Sequence, residues 1–318
     1  MNNSDNQKVL FFRNYRMFTG GHLKVWHYFT HLLNSKRFDP YVYFTADSIW
    51  DANNPFINVK NKVIKELNSI NPDIYFLAGK DWEMPIKFDP QKPIINFIQH
   101  VRHANPKNPL YQYLSNKAIR ICVSDEVKQA LLASKQVNGP VFSIPNGFSI
   151  PKTLSSLVHA DKHQSVLILA LKNPAFGDEL AERLRAKGIE VRLINSKLSQ
   201  LDYLAAINNN AIAVFLPNPT EGFYLPAIEA MALQSLVICP DCIGNQSFCR
   251  DSETCIIPES YTLEAFIQSI NLALNMDSST KHKMLQTAAR TSSEYTLERE
   301  REKFIDIMNQ SDKLWQFN

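Results

Sequence analysis

The sequence predicts an α/β protein built from two doubly wound, Rossmann-like domains. Its 318 residues suffice for two such domains, each with its own core. Short apolar runs alternate with helical patterns along the chain, as expected of parallel sheets covered by helices. One of these alternations, Ala211 to Glu229, places a polar corner between its strand and its helix.

In chain order, Lys8–Asn14 reads as a first buried strand. Met17-Phe-Thr-Gly-Gly21 follows, and His22–Asn34 has helical spacing, with Trp26, Phe29 and Leu33 on one face. A strand, a turn at Gly20 and Gly21 and a helix make a unit in which backbone can approach a phosphate. A plain tight turn accounts for the two glycines equally well. Tyr41–Thr45 and Asp73–Ala78 are the next strands, separated by a loop over 47–58 and an amphipathic helix over Val59–Ile70. Ile94–Gln99 is a strand that delivers His100-Val-Arg-His103 at its carboxyl end, the edge where such sheets bind ligands. Ala118–Val123 is a strand, Ser124 with Asp125 and Glu126 caps the next helix, and Val141–Ile144 is a further strand. The linker between domains is placed at Asn146–His163.

The second half reads in the same way. Strands are expected at Ser165–Leu171, Val191–Asn195, Ala211–Leu216, Leu236–Cys239 and Ile256–Ile257. Helices are expected at Asp178–Lys187, Leu201–Ile207, Leu263–Asn275, Thr280–Thr291 and Leu297–Asn309. The ERERE stretch of the last helix is expected on the surface, with Phe304, Ile307 and Met308 as its anchors.

The corner is the most informative stretch. Asn218-Pro219-Thr220 stops the strand, Gly222 gives the backbone freedom to turn, and Pro226 suits the first turn of the following helix. Glu221 lies in the loop and Glu229 about one turn into the helix. Two carboxylates thus flank a strand-to-helix corner beside backbone N–H groups that suit an anion. Such a site fits a ligand that carries both hydroxyls and phosphate.

Glu221 and Glu229 form a Glu-x7-Glu pair within EGFYLPAIEAMA, and this resembles the signature of the retaining glycosyltransferases of family 4, the group 1 transferases of GT-B fold. VSDEVKQALL and VFSIPNGFSIP, in that order earlier in the chain, are similar to the same family. The resemblance implies two Rossmann-like domains facing across a cleft. It implies an N-terminal acceptor-side domain at 1–150, a nucleotide-sugar domain at 151–295 and a helix at 296–318 returning towards the first. It also implies roles. Glu221 would contact the donor sugar, and Glu229 would hold the ribose hydroxyls. The amides of Phe223, Tyr224 and Leu225, the glycines Gly20 and Gly21, and Lys172 would face the diphosphate. His100, with His103 in reserve, would lie near the reacting sugar.

The chain departs from that pattern in places. Phe176 stands where the family commonly has a lysine, which leaves Lys172 as the one well-placed cation for the diphosphate. Tyr224 replaces a frequent glycine. Cys239, Cys242, Cys249 and Cys255 form a C-x2-C-x6-C-x5-C run, read as buried thiols in preference to a zinc or redox site. Pro240–Gln246 is expected as a donor-facing loop, with Gly244 to Gln246 starting a helix near the phosphates. No Asp-x-Asp motif occurs, so neither metal nor cofactor is expected beyond the nucleotide-diphosphate sugar itself.

Composition narrows the rest. Apolar residues make up 45% and charged residues 20%, which are globular values. Residues 1–150 hold 18 Lys and Arg against 11 Asp and Glu, and the remainder 16 against 20. The basic half suits an anionic lipid surface or acidic acceptor, or is a solvated surface. Five cysteines and a polar start lead us to expect a cytoplasmic protein, with peripheral contact at the inner face of a membrane as an option. The expected partners are a sugar-nucleotide donor and a glycan or lipid-linked acceptor in surface polysaccharide or glycolipid assembly, and not nucleic acid. A glycosyltransferase-like binding subunit without turnover is the alternative. A weaker third reading keeps the architecture for epimerisation or phosphorolysis.

Overall fold

The structure, a computed structural model, describes residues 6–155 and 162–316. The chain divides into two compact units, one comprising Met1–Asn146 with Leu297–Asn318 and the other Gly147–Thr296. The predicted linker falls partly on 156–161, outside the described residues.

The first unit carries a seven-stranded, wholly parallel sheet. Its strands are β1 (Gln7–Arg13), β2 (Phe38–Phe44), β3 (Val63–Ile64), β4 (Ile74–Ala78), β5 (Ile94–Ile98), β6 (Ile119–Cys122) and β7 (Val141–Ser143), in the order β3-β2-β1-β4-β5-β6-β7. β1 lies between β2 and β4 and is covered on both faces, so Val9 to Phe12 form an unbroken apolar run. Phe11 stacks on Phe76 of β4 with ring centroids 4.3 Å apart. Helix α1 (Gly20–Leu33) follows β1, and α2 (Asp125–Ala133) follows β6 with Ser124 as its N-cap. The Ser124 hydroxyl accepts a hydrogen bond from the Val127 N–H at 3.3 Å, as its place before Asp125-Glu126 predicts.

The second unit carries a four-stranded parallel sheet of order β11-β10-β8-β9. Its elements run α3 (Lys152–Ser155), β8 (His163–Leu169), α4 (Pro174–Ala186), β9 (Val191–Ile194), α5 (Gln200–Asn208), β10 (Asn210–Phe215), α6 (Leu225–Ala232) and β11 (Leu236–Ile238). Helices α7 (Leu263–Leu274) and α8 (Ser278–Ser292) complete it. Val166, Ile168, Ile212, Val214, Leu236 and Ile238 line its core against Leu180 and Leu184 of α4 and Phe266 and Ile270 of α7. The chain then rejoins the first unit through α9 (Leu297–Asn309) and α10 (Ser311–Gln316), the latter not predicted.

Several expectations need correction. No α-helix occupies Val59–Ile70. Two short 3₁₀ segments, separated by a kink at Val59, cover Pro55–Lys62, the first capped by the Asn54 side chain, and Val63–Ile64 joins the sheet beside Val42–Tyr43. The Asn54-Pro55 start signal lies upstream of the predicted helix, and the β-branched residues at 59, 63 and 64 favour extended backbone. Ile256–Ile257 makes no strand, only a single bridge from Ile256 to Ile238. The buried face of α1 is Val25, Tyr28, Phe29 and Leu32, with Trp26 and Leu33 at its margins.

The larger correction concerns ERERE. Phe304, Ile307 and Met308 are buried, but so is Glu300, at 1% exposure. Its carboxylate meets the Lys24 ammonium and, at 2.9 Å, the His31 Nε2 of α1. Burial alone would raise the Glu300 carboxyl, yet Lys24 and His31 hold it below its ordinary 4.5. Its stabilising contribution is therefore present above about pH 4.5 and is lost as pH falls through the lowered value. We expect Glu300→Ala to destabilise the first unit by about 3–5 kcal/mol, because Lys24 loses its counter-charge in a buried site. The pair replacement Lys24→Met with Glu300→Leu should recover most of that loss in urea unfolding. A single variant no less stable than wild type would contradict the buried pair.

Candidate functional site

β10 is buried throughout and ends at Phe215, so the chain emerges at the carboxyl edge of the second sheet. The Asn218 carbonyl accepts the Glu221 N–H at 3.2 Å and turns the chain back. Helix α6 then begins at Leu225 with Pro226 in its first turn. Neighbouring β8 ends at Leu169, and Lys172 projects from the loop beyond it. Lys172 Nζ lies 3.4 Å from Glu221 Oε1, with the ammonium half exposed and the carboxylate largely covered. The Asn218 side chain donates to the same oxygen at 3.4 Å. Glu229 lies just inside α6 and is buried, at 7% exposure. The corner thus pairs Glu221 with Lys172 at the sheet edge, and Glu229 lies about one turn into the helix that leaves it.

The predicted amides behave differently from one another. The Tyr224 N–H donates to the Gly244 carbonyl at 2.8 Å and the Leu225 N–H to the Phe223 carbonyl at 3.2 Å. Only the Phe223 amide makes no hydrogen bond among the described residues. Tyr224 and Leu225 are therefore corrected from ligand-facing amides to internally bonded ones. Phe223 packs on Phe248 and Tyr295 at 5.3 and 5.6 Å, and Tyr224 on Phe215 at 6.0 Å. Burial pushes the Tyr224 hydroxyl well above its ordinary value, so it stays neutral.

Two further departures acquire a structural reason. Phe176, in the place of a second cation, packs against Tyr261 and Phe266 at 5.1 and 5.2 Å, inside an aromatic cluster. α4 starts at Pro174, four residues before its predicted start, with Asn173 as its cap. This buries Gly177, where an added Cβ would fall 2.2 Å from Ala170 Cβ.

The 240–246 loop braces the corner and does not present phosphate ligands through Asn245. Only a 3₁₀ turn, Ile243–Asn245, forms there. Asn245 is fully buried, accepts the Cys242 N–H at 3.0 Å and donates to the Pro240 carbonyl at 3.0 Å. The Ile243 N–H reaches the Pro219 carbonyl at 3.0 Å. Cys239, Cys242, Cys249 and Cys255 are free and buried, and Cys249 lies against Cys239 and Cys255. Among the described residues, no group of three or more His, Cys, Asp and Glu is arranged to hold a metal ion.

The remaining predicted residues lie together in the first unit. Gly20 and Gly21 are not a turn but the first two residues of α1, after the N-cap Thr19. Neither has positive φ, and a Cβ on Gly20 would meet nothing within 4 Å. The Gln99 side chain donates to the Gly21 carbonyl at 3.3 Å and so ties α1 to the end of β5. His100 follows, half-buried, and its Nδ1 accepts the Arg102 N–H at 3.1 Å, which leaves the proton on Nε2 of the neutral ring. His103 is buried. Burial, with Arg102 and His100 adding to it, lowers its pKa to about 3, so it is neutral near pH 7. His100 is the more accessible of the two. The sequence reading missed Arg13, Tyr15, His22 and Asp81, which gather at this same edge; an arginine closing the apolar run KVLFFR was the one visible signal.

Gly244 supplies the direct test of the brace. A Cβ there would lie 2.6 Å from the Phe223 nitrogen and 2.8 Å from both the Glu221 oxygen and the Gly222 carbonyl carbon. We expect Gly244→Ala to cost about 1–3 kcal/mol and to shift the amide resonances of 221–223. Gly20→Ala, with open space, should gain about 0.5–1 kcal/mol from helix propensity. Equal thermal midpoints for the two variants would contradict the packing described.

No protein-family model matches the chain, and no curated protein is detectably similar in sequence. Solved structures do match. HepE of Anabaena, in complex with UDP-glucose, is similar at 12% identity over 96% of this chain and 100% of that one, with a TM-score of 0.65. Sucrose-phosphate synthase of Thermosynechococcus elongatus is similar at 13% identity over 96% and 99%, with a TM-score of 0.67. A glycosyltransferase of Rickettsia africae is similar at 14% identity over 99% and 100%, with a TM-score of 0.64. At such identities the likeness is one of architecture, and the chain has the α/β fold of the GT-B glycosyltransferases.

Proposed function

We propose that the chain is a retaining glycosyltransferase that moves a hexose-type sugar from a nucleotide-diphosphate donor to an acceptor hydroxyl. The observation that carries the reading is the Glu221–Lys172 contact at the carboxyl edge of the second sheet, with the buried Glu229 following in the helix that starts there. The fold it shares with HepE, which was crystallised with UDP-glucose, supports the donor class. Glu229 would accept hydrogen bonds from the ribose hydroxyls. Glu221 would orient the sugar and favour positive charge developing at its anomeric carbon. Lys172, now answering Glu221, would be drawn to the diphosphate, a denser negative charge than one carboxylate. The Phe223 amide would add a neutral donor to the same group.

Further roles belong to the same proposal. Gly20 leaves the first turn of α1 uncrowded, and His100 Nε2–H would contact sugar or acceptor. The leaving phosphate would take the acceptor proton, so the main contributions are orientation and electrostatics and no metal is required. No helix among the described residues is long and apolar enough to cross a membrane. A cytoplasmic enzyme, working on a glycan or lipid-linked acceptor in polysaccharide or glycolipid assembly with peripheral membrane contact, fits the basic first half.

One observation favours a second reading. With Phe176 committed to an aromatic cluster, Lys172 is the one cation found at this corner among the described residues. A weak diphosphate clamp suits a subunit that binds sugar nucleotides without turnover.

Thermal shift and donor hydrolysis over UDP-, GDP-, ADP-, TDP- and CMP-sugars, with wild type beside Glu229→Ala, separate these readings. We expect one nucleotide class to stabilise the wild type and to bind Glu229→Ala roughly 10- to 100-fold more weakly, the loss expected for hydrogen bonds to a charged group. Slow hydrolysis of that donor, or transfer once acceptors are supplied, supports the enzyme. Binding with neither supports the second reading. No response to any nucleotide overturns both.

A further inference from the structure

We propose that the first unit holds a subsite for an anionic group, a phosphate or carboxylate, centred on Arg13 and the first turn of α1, and that this group belongs to the acceptor. The identification with the acceptor rests on the transferase reading above; the anion subsite itself does not. Arg13 closes β1 at its carboxyl end and is 8% exposed. Its Nε and Nη1 are enclosed and have no hydrogen-bond partner. Tyr15, two residues on, is 1% exposed, and its hydroxyl also lacks a partner. A buried guanidinium with unmatched donors is costly, and an apolar residue would serve the core better.

The nearest carboxylate does not resolve this. Asp81 follows β4, the neighbour of β1, and feels the field of Arg13, yet the two make no ion pair among the described residues. One Asp81 oxygen accepts the Ala78 N–H at 2.8 Å. Burial pushes its carboxyl up to about 7 in spite of Arg13, which weakens it as a counter-charge to the guanidinium.

On the other side of the cluster the Asp51 carboxylate acts on Tyr15 without making a hydrogen bond to its hydroxyl. His22 lies in the first turn of α1, with its ring 5.0 Å from Tyr15. Burial, and then Arg13, lower its pKa to about 4, so it is neutral. Two residues before it, Gly20 leaves open space at the positive end of a 14-residue helix. The unfilled groups, guanidinium N–H and phenol O–H, can donate, and the helix end adds its field. Arg16, exposed at the surface, is paired with Asp47. A phosphate or carboxylate arriving over Gly20 supplies the missing charge.

The test titrates the whole protein with inorganic phosphate, glucose 6-phosphate and glucuronate, with glucose as the neutral control, by calorimetry. Each titration is run alone and in saturating UDP, on wild type, Arg13→Gln, Tyr15→Phe and Glu229→Ala. We expect the anionic probes to bind and glucose not to. Affinity should fall at least 10-fold in Arg13→Gln and several-fold in Tyr15→Phe, and should be unchanged in Glu229→Ala and by UDP. Should Arg13→Gln fail to fold, Tyr15→Phe decides: an unchanged affinity in that variant overturns the subsite. Folded Arg13→Gln binding like wild type overturns it, as does the absence of any anion binding. Competition by UDP assigns the anion to the donor and overturns the acceptor assignment. If no nucleotide binds while the anions do, the donor reading fails and the Arg13 subsite stands.

Discussion

The candidate site of the second unit depends on main chain touching main chain. Gly244 lies so close beneath residues 221–223 that no side chain fits between them. Two hydrogen bonds, Tyr224 N–H to the Gly244 carbonyl and Ile243 N–H to the Pro219 carbonyl, fix one loop on the other. Asn245, wholly buried, holds the supporting loop in shape through Cys242 and Pro240. Glu221 is therefore placed by a rigid double layer, with the start of α6 following directly. The Glu221–Lys172 contact is built on that placement, because Lys172 comes from a different strand of the same sheet edge. Rigidity of this kind holds charged groups in place before a ligand arrives, which is where electrostatic catalysis gains most.

The first unit solves a different problem. Its core is aromatic and continuous, with Phe11, Tyr28, Phe76, Phe97 and Phe304 in ring contact. Two charged clusters nevertheless sit within it. In the first, Glu300 meets Lys24 and His31, so the charge is matched, and the pairing joins α9 to α1. In the second, Arg13 beside Asp81 and Tyr15 is unmatched. The contrast separates a cluster whose charges are matched from one whose buried donors have no hydrogen-bond partner. The matched cluster faces a helix and the unmatched one ends a strand at the ligand-binding edge.

Much of this was legible in the sequence because it rests on local signals. Ser124 before Asp125-Glu126, Pro226 after Gly222, and the apolar runs at 9–12 and 211–216 each specify an element through nearby residues alone. The Glu221–Glu229 corner was legible for the same reason: its two carboxylates, its glycine and its proline lie within nine residues. The partnership of Lys172 with Glu221 was not, since it joins positions 49 apart through strand pairing. Glu300 was misread because its neighbours Glu298 and Arg301 pair with each other in solvent, and the run gives no sign of the position that turns inward. Val59–Ile70 failed because helical spacing there competed with edge pairing to β2, a tertiary choice. The amides at Tyr224 and Leu225 were assigned to a ligand because Gly244, which takes the first of them, is distant in sequence.

What the Glu221–Glu229 corner binds is the central question. A crystal structure of the protein with a nucleoside diphosphate addresses this without needing the sugar or the acceptor. We expect the ribose hydroxyls about 3 Å from the Glu229 carboxylate. The diphosphate should lie within reach of Lys172 and the Phe223 amide. A nucleotide bound with its ribose away from Glu229, or bound only outside the second unit, would contradict the transferase site.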